Sequence, residues 1–131
     1  MLFQTFLSQE ERRGFGGSYF IEMQYCNLPR ETGIERIVSV DALVHWKNDS
    51  LYIYGDDESA FVSLYGEIFA GGTYSNLACG AVDTCGINYY SPEKTKRILK
   101  RVKAEKSLGD PVLISWLERS RAYNGFYILG L

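Results

Sequence analysis

The chain has 131 residues with 46% hydrophobic and 15% aromatic content, which is enough for one buried core and too little for two, so we expect a single domain over residues 1–131. Its charged fraction of 23% is ordinary and no Pro, Ser, Gln or Lys tract occurs, which argues against disorder. No segment approaches the roughly 20 apolar residues of a membrane span, and the short apolar start has no basic residue before it, unlike a signal peptide. We therefore expect a cytoplasmic protein with no membrane partner.

The net charge of −2 conceals two opposed regions. Residues 1–90 contain 5 Lys and Arg against 12 Asp and Glu, a net charge of −7, whereas residues 91–131 contain 9 against 4, a net charge of +5. Such segregation bears on partners and solubility and says nothing about the fold.

The first half of the chain predicts a helix followed by strands. Residues 8–13 have helical character, and the glycine-rich residues 14–17 end the helix. Aromatic and β-branched residues predict a strand over 18–25. Apolar and polar residues alternate over 38–46, the period of a half-buried strand. This segment is expected to form an antiparallel hairpin with a strand at 51–54, across a turn at 47–50.

The middle of the chain predicts one amphipathic helix. Residues 55–58 begin it, because a carboxylate at the cap accepts first-turn N–H groups and favours the positive end of the helix dipole. Gly71 and Gly72 end it. Its apolar positions share one face by their spacing: they are Phe61, Leu64, Tyr65, Ile68 and Phe69.

The C-terminal third predicts two helices between strands. A short strand is expected within 77–82 and another over 86–90. Ser91 followed by proline and glutamate begins one helix, and Asp110 followed by proline begins the next. A last strand covers 126–129. Strands and helices without a repeated βαβ pattern predict an α+β fold with a mainly antiparallel sheet and about three helices.

His45 is the single histidine, so any histidine-dependent catalysis would use it. In the predicted strand it shares a face with Asp41, which could orient the imidazole. No serine or cysteine lies in a recognisable nucleophile motif. A small enzyme using His45 with Asp41 is therefore an alternative, and the expectation is that the chain is not an enzyme.

Metal and cofactor sites are not expected. One histidine and the scattered Cys26, Cys79 and Cys85 do not have zinc-site spacing, and we expect reduced thiols that serve packing. The consecutive carboxylates at 56–58 point to different sides of a helix start, so helix capping explains them better than Ca²⁺ or Mg²⁺ binding.

The basic helix over 92–106 carries seven Lys and Arg residues between Lys94 and Lys106. Such a helix could neutralise several phosphates, which makes a nucleic-acid-associated protein a second alternative. The acidic remainder would repel a long polyanion, and the helix lacks a base-reading mixture of side chains. A solvated helix face is the preferred interpretation, so nucleic acid is not expected as a partner.

The acidic region suggests a protein partner. Carboxylates interleaved with tyrosines can enter the cationic active-site cleft of a nuclease, and such pairing steers association. Tyrosine is also a frequent interface anchor. The candidate partner-binding residues are Asp49, Asp56, Asp57, Glu58, Glu67, Tyr52, Tyr54 and Tyr65.

A resemblance to a known class supports that interpretation. Residues 86–93 (GINYYSPE) before the basic helix, and residues 124–131 (NGFYILGL), resemble small bacterial immunity proteins. These are the antitoxins of contact-dependent growth inhibition and related polymorphic toxin systems. The resemblance implies a cytoplasmic protein that binds and blocks one cognate toxin, commonly a nuclease, and it transfers no site residue.

Overall fold

The computed structural model describes residues 2–16, 19–43 and 46–130. The strands in these ranges are β1 Phe20–Tyr25, β2 Leu51–Tyr54, β3 Gly72–Thr73, β4 Cys79–Gly80, β5 Ile87–Tyr90 and β6 Phe126–Leu129. The α-helices are α1 Gln9–Phe15, α2 Ile34–Ile37, α3 Glu58–Tyr65, α4 Pro92–Ala104 and α5 Pro111–Arg119. The strands form one antiparallel sheet in the order β2-β1-β6-β5-β3-β4. This confirms the predicted α+β fold, with five α-helices in the described ranges where about three were expected.

The main core lies between one face of the sheet and the helices α3, α4 and α5. Successive strand residues point to opposite faces, so Ile21 and Met23 of β1 and Leu51 and Ile53 of β2 turn to this side, all fully buried. Trp116 of α5 is also buried. The buried residues of α4 and α5 belong to this core.

A smaller core covers the other face at β5 and β6. Tyr89 and Tyr127 form it together with Cys26, Ile37 and Val38. The Tyr127 hydroxyl donates to the Ile37 carbonyl oxygen at 2.6 Å, which ties the short helix α2 to the sheet.

The N-terminal segment covers the same face at β1 and β2. Gln4 extends the sheet beyond β2 through two backbone hydrogen bonds with Tyr52, with N···O distances of 2.8 and 2.9 Å. The buried ring of Phe6 lies against the rings of Phe15, Phe20 and Tyr52. The helix α1 then ends at Gly16, whose φ of +105° suits glycine. The N-terminal segment thereby supports the surface described below.

The strand predicted over 38–46 is wrong where the structure describes it. Residues 38 and 39 follow α2 as a turn and bend, and Val40–Ala42 form a 3-10 turn. Val38 is buried in the smaller core, whereas Val40 is 63% exposed, so the alternation reflects a turn that buries one valine. Residues 44 and 45 lie outside the described ranges. The predicted hairpin is also wrong, because β2 pairs with β1.

Three helix starts have the capping chemistry that helices favour. Ser8 accepts from the Glu11 N–H, Ser91 from the Lys94 N–H, and Asp110 from the Val112 N–H. The starts predicted at Ser91 and Asp110 are therefore confirmed. None of the helices in the described ranges has the length and apolar character of a membrane span.

Candidate functional site

Three consecutive carboxylates lie where β2 meets α3. The strand ends at Tyr54, residues Gly55–Asp57 form a 3-10 turn, and α3 begins at Glu58. The Asp56 side chain is exposed, while those of Asp57 and Glu58 are partly exposed. The turn therefore brings all three to the molecular surface.

Capping does not account for these carboxylates. Asp57 occupies the N-cap position of α3 but its side chain accepts no capping hydrogen bond, and the prediction that it caps the helix is wrong. A 3-10 turn leads into α3 and supplies its own i to i+3 backbone bond, from the Glu58 N–H to the Gly55 carbonyl. Asp57 therefore lacks the predicted capping hydrogen bond, although Asp56, Asp57 and Glu58 all lie at the helix start, where the dipole favours negative charge.

Glu58 organises the centre of this surface. One of its carboxylate oxygens accepts from the Tyr19 hydroxyl, and the other accepts from the Thr84 hydroxyl at 3.3 Å. The Tyr19 ring lies directly over Gly55, where a Cβ atom would come within 2.7 Å of the ring. Position 55 therefore requires glycine, because any side chain would displace Tyr19 from Glu58.

Exposed aromatic rings border the carboxylates. Phe20 and Tyr54 are cross-strand partners on β1 and β2, with ring centroids 5.6 Å apart. The Phe15 ring lies 5.3 Å from that of Tyr54. Phe15 is 46% exposed and Tyr19 is 42% exposed. We call the surface formed by Phe15, Tyr19, Tyr54, Asp56, Asp57 and Glu58 the acidic–aromatic patch.

The tyrosines report the negative potential of the patch. The charge of Asp56 is the largest cause that raises the pKa of Tyr54, and the Asp57 charge adds to it. The hydrogen bond to Glu58 is the largest cause that raises the pKa of Tyr19, and the Glu58 and Asp56 charges act in the same direction. Both phenols therefore stay neutral, and the carboxylates give the patch its charge.

Two of the predicted contact tyrosines are core residues. Tyr52 is fully buried, and its hydroxyl donates to the Lys47 carbonyl oxygen at 2.9 Å. Tyr65 is 3% exposed, and its hydroxyl donates to the Leu108 carbonyl oxygen at 3.2 Å. Both side chains therefore lie in the core in this conformation, whereas the prediction that they contact a partner requires them at the surface.

Asp49 and Glu67 are engaged with cations elsewhere. Asp49 lies 3.8 Å from the Lys47 ammonium group, and its backbone carbonyl accepts from the Trp116 indole at 2.8 Å. Glu67 is exposed and lies 3.2 Å from the Arg101 guanidinium on α4. Both carboxylates therefore have positive partners of their own, whereas Asp56 and Asp57 form no ion pair within the part of the chain that the structure describes.

The basic helix α4 is partly neutralised by its neighbours. Arg101 pairs with Glu67 and with Glu105. Lys103 lies 3.2 Å from Glu118 of α5. The Lys94 ammonium group donates to the Gly71 carbonyl oxygen at 2.6 Å. Apart from the half-buried Lys94, the cations of α4 are exposed, which agrees with the interpretation of a solvated helix face.

The structure does not assemble the residues of the alternative enzyme. Asp41 is exposed in the 3-10 turn after α2, so the shared strand face that was to pair it with His45 is not formed at Asp41. His45 lies outside the described residues. Among those residues, no group of three or more His, Cys, Asp or Glu side chains could hold a metal ion.

Phe15 and Tyr19 were missed by the sequence reasoning. Phe15 lies between Gly14 and Gly16, and Tyr19 follows Gly17 by two residues. This glycine-rich setting was the available signal, since an aromatic residue there has few neighbours in sequence to cover it.

Comparisons of the chain with protein-family models, with curated proteins and with solved structures found no match. The patch is therefore interpreted from its own chemistry.

Proposed function

We propose that this chain is a bacterial immunity protein that binds a cognate nuclease toxin and covers the toxin's cationic active site with the acidic–aromatic patch. One observation carries the proposal: surface carboxylates with no cationic partner among the described residues adjoin exposed aromatic rings that pack against the sheet. Electrostatic complementarity of this kind gives fast and specific association. The protein would act by binding, in the cytoplasm, and not as an enzyme.

The arrangement of the patch suits a tight inhibitor. Tyr19 is held by Glu58, and Tyr54 is held between Phe15 and Phe20. Side chains that are already ordered lose little conformational entropy on binding. Aromatic side chains are frequent binding hot spots, and carboxylates around them steer a cationic partner.

A co-expression experiment tests the proposal. The C-terminal domain encoded by the reading frame immediately upstream of this gene is expressed with and without the chain, and growth and complex formation are measured. We expect the domain to be toxic alone and harmless with the chain. The combined substitution of Asp56→Lys, Asp57→Lys and Glu58→Lys should abolish protection and remove most of the salt dependence of binding.

A matched control separates the patch from total charge. Substituting the exposed Glu31, Glu35 and Asp41 with lysine changes the net charge equally but lies outside the patch. Protection should persist in this control. Equal protection by both triple variants, with both shown to be folded by circular dichroism, would refute the assignment of the patch. An upstream domain that is harmless when expressed alone would refute the immunity function.

A further inference from the structure

Two adjoining cavities lie between α4 and the end of α5. The first has a volume of about 210 Å³, and the second, of about 250 Å³, shares Lys96, Leu99 and Arg121 with it. Five of the lining side chains are cationic and none of the lining residues is acidic. We call these five, Arg30, Lys96, Lys100, Lys103 and Arg121, the cationic groove.

The cations of the groove are largely uncompensated. Within the described residues, only Lys103 forms an ion pair, with Glu118. Arg30 is fixed by donating to the backbone carbonyls of Arg121 and Tyr123 at 3.2 and 3.3 Å, which accept hydrogen bonds but carry no charge to neutralise it. The positive charge around this concave surface therefore remains available to an anion.

Like charges also lie close together on the groove side of α4. Lys96 is followed four residues later by Lys100, and both side chains are exposed. Arg97 and Arg101 have the same spacing on the other side, where Glu67 and Glu105 pair with Arg101. Like charges at this spacing repel each other, so an anion bound beside Lys96 and Lys100 would relieve a repulsion that no carboxylate of the described residues relieves there.

We propose that the cationic groove binds a small phosphomonoester that carries an apolar group. Arginine and lysine together are the usual ligands of a phosphate dianion. Leu99, Leu117 and Pro92 line the first cavity beside the cations and supply an apolar wall. The volume is below the roughly 300 Å³ at which sites for drug-sized ligands begin, so the groove fits a small molecule.

The two hydroxyl groups that line the first cavity already donate to backbone carbonyls, so the cations are the groups that recognise the phosphate. Thr95 donates to the Ser91 carbonyl oxygen at 2.8 Å, and Ser120 donates to the Leu117 carbonyl oxygen. Lys96 and Arg121 are exposed, with no ion pair among the described residues, and are the side chains that contact the phosphate. None of the groove residues belongs to the acidic–aromatic patch, so this proposal and the immunity function can fail separately.

Calorimetric titration with phenyl phosphate at low ionic strength tests the groove, with phenol as the ligand that lacks the phosphate. We expect phenyl phosphate to bind and phenol not to bind. Lys96→Gln and Arg121→Gln should each weaken binding about tenfold, whereas Lys106→Gln, an exposed residue outside both cavities, should leave it unchanged. Inorganic phosphate should compete.

Three results would overturn the proposal. They are no detectable binding of phenyl phosphate by the folded wild-type protein, an equal loss of affinity in the Lys106→Gln control, or binding of a short single-stranded RNA with none of phenyl phosphate. The last result would assign the groove to a nucleic-acid backbone. Amide chemical shifts of residues 95–100 and 117–121 locate the bound ligand and should move in the wild type.

Discussion

The acidic–aromatic patch and the cationic groove differ in what holds their charges. In the patch, the Tyr19 hydroxyl donates to the Glu58 carboxylate, and the Phe20 ring packs against the Tyr54 ring. In the groove, Lys96 and Lys100 extend from one helix without ion-pair partners in the described ranges. The first is a surface of packed side chains suited to another protein, and the second is a concave surface suited to a small anion. Opposed charge in a sequence can thus separate into two sites of different shape.

The largest expected effect concerns the support of the patch. Phe6 is 4% exposed and packs against three aromatic rings, so Phe6→Ala should lower the free energy of unfolding by about 3–5 kcal/mol. The neighbouring Leu7 is 86% exposed, and Leu7→Ala should change it by less than about 0.5 kcal/mol. Urea unfolding measures both. A loss of unfolding free energy in Phe6→Ala as small as that in Leu7→Ala would contradict the role of Phe6 in supporting the patch.

A second test concerns the buried carboxyl group of Glu22 in β1. Glu22 is 7% exposed and accepts from Ser50 at 2.7 Å. Burial raises the pKa of Glu22, against the opposing effect of its hydrogen bonds. The folded state therefore holds this proton more tightly than the unfolded chain does. The resulting stabilisation is complete below the unfolded pKa, near 4.3, and is lost as the pH rises through the folded pKa.

We therefore expect the free energy of unfolding of the wild type, relative to Glu22→Gln, to fall as the pH rises from acidic to neutral. Urea unfolding over a pH series measures this difference. The exposed Glu35 provides a control, since Glu35→Gln should run parallel to the wild type. A constant difference between wild type and Glu22→Gln across the series would contradict the assignment.

A third test compares an aspartate of each charged half. Asp110 accepts a capping hydrogen bond from the Val112 N–H at 2.8 Å, so Asp110→Ala should destabilise the fold by about 1 kcal/mol. Asp57 makes no such bond, so Asp57→Ala should cost less than about 0.5 kcal/mol. Thermal and urea unfolding distinguish them. A loss of about 1 kcal/mol in Asp57→Ala would return that residue to a capping role.

The smallest expected effect concerns the affinity of the cationic groove for phenyl phosphate. Glu118 pairs with Lys103 at 3.2 Å on the solvent-exposed side, and exposed pairs of this kind contribute about 0.2–1 kcal/mol. Glu118→Gln should release Lys103 and tighten phenyl phosphate binding about twofold. Calorimetric titration measures the change, with Glu93→Gln as the control on the same basic segment. Weaker binding in Glu118→Gln would contradict the electrostatic basis of the groove.

Local sequence signals predicted the elements that depend on local chemistry. The serine, proline and glutamate at 91–93 predicted the start of α4, and the helical spacing of Ile98, Leu99 and Val102 is consistent with their burial on one face. The aspartate and proline at 110 and 111 predicted α5 in the same way. The residues that determine each of these features lie within a few positions of one another in the sequence.

Non-local features could not be predicted from the chain. The outer edge of β2 is paired with Gln4, almost fifty residues away, so the alternating segment 38–43 has no strand to join there. Tyr52 and Tyr54 both lie on the face covered by the N-terminal segment, and only Tyr52 is fully covered. Which tyrosine reaches the surface depends on that distant segment, and the groove likewise needs Arg30 to meet α4.

The position of β6 has a consequence for biosynthesis. β6 comes last of the six strands along the chain, yet it lies between β1 and β5 in the middle of the sheet. β1 pairs with β2 nearby in sequence, but its second partner lies roughly a hundred residues away, a loop closure that slows folding. The ribosome must complete residues 126–129 before the two halves of the sheet can join. Shortened translation products would lack the central strand and be left to proteases.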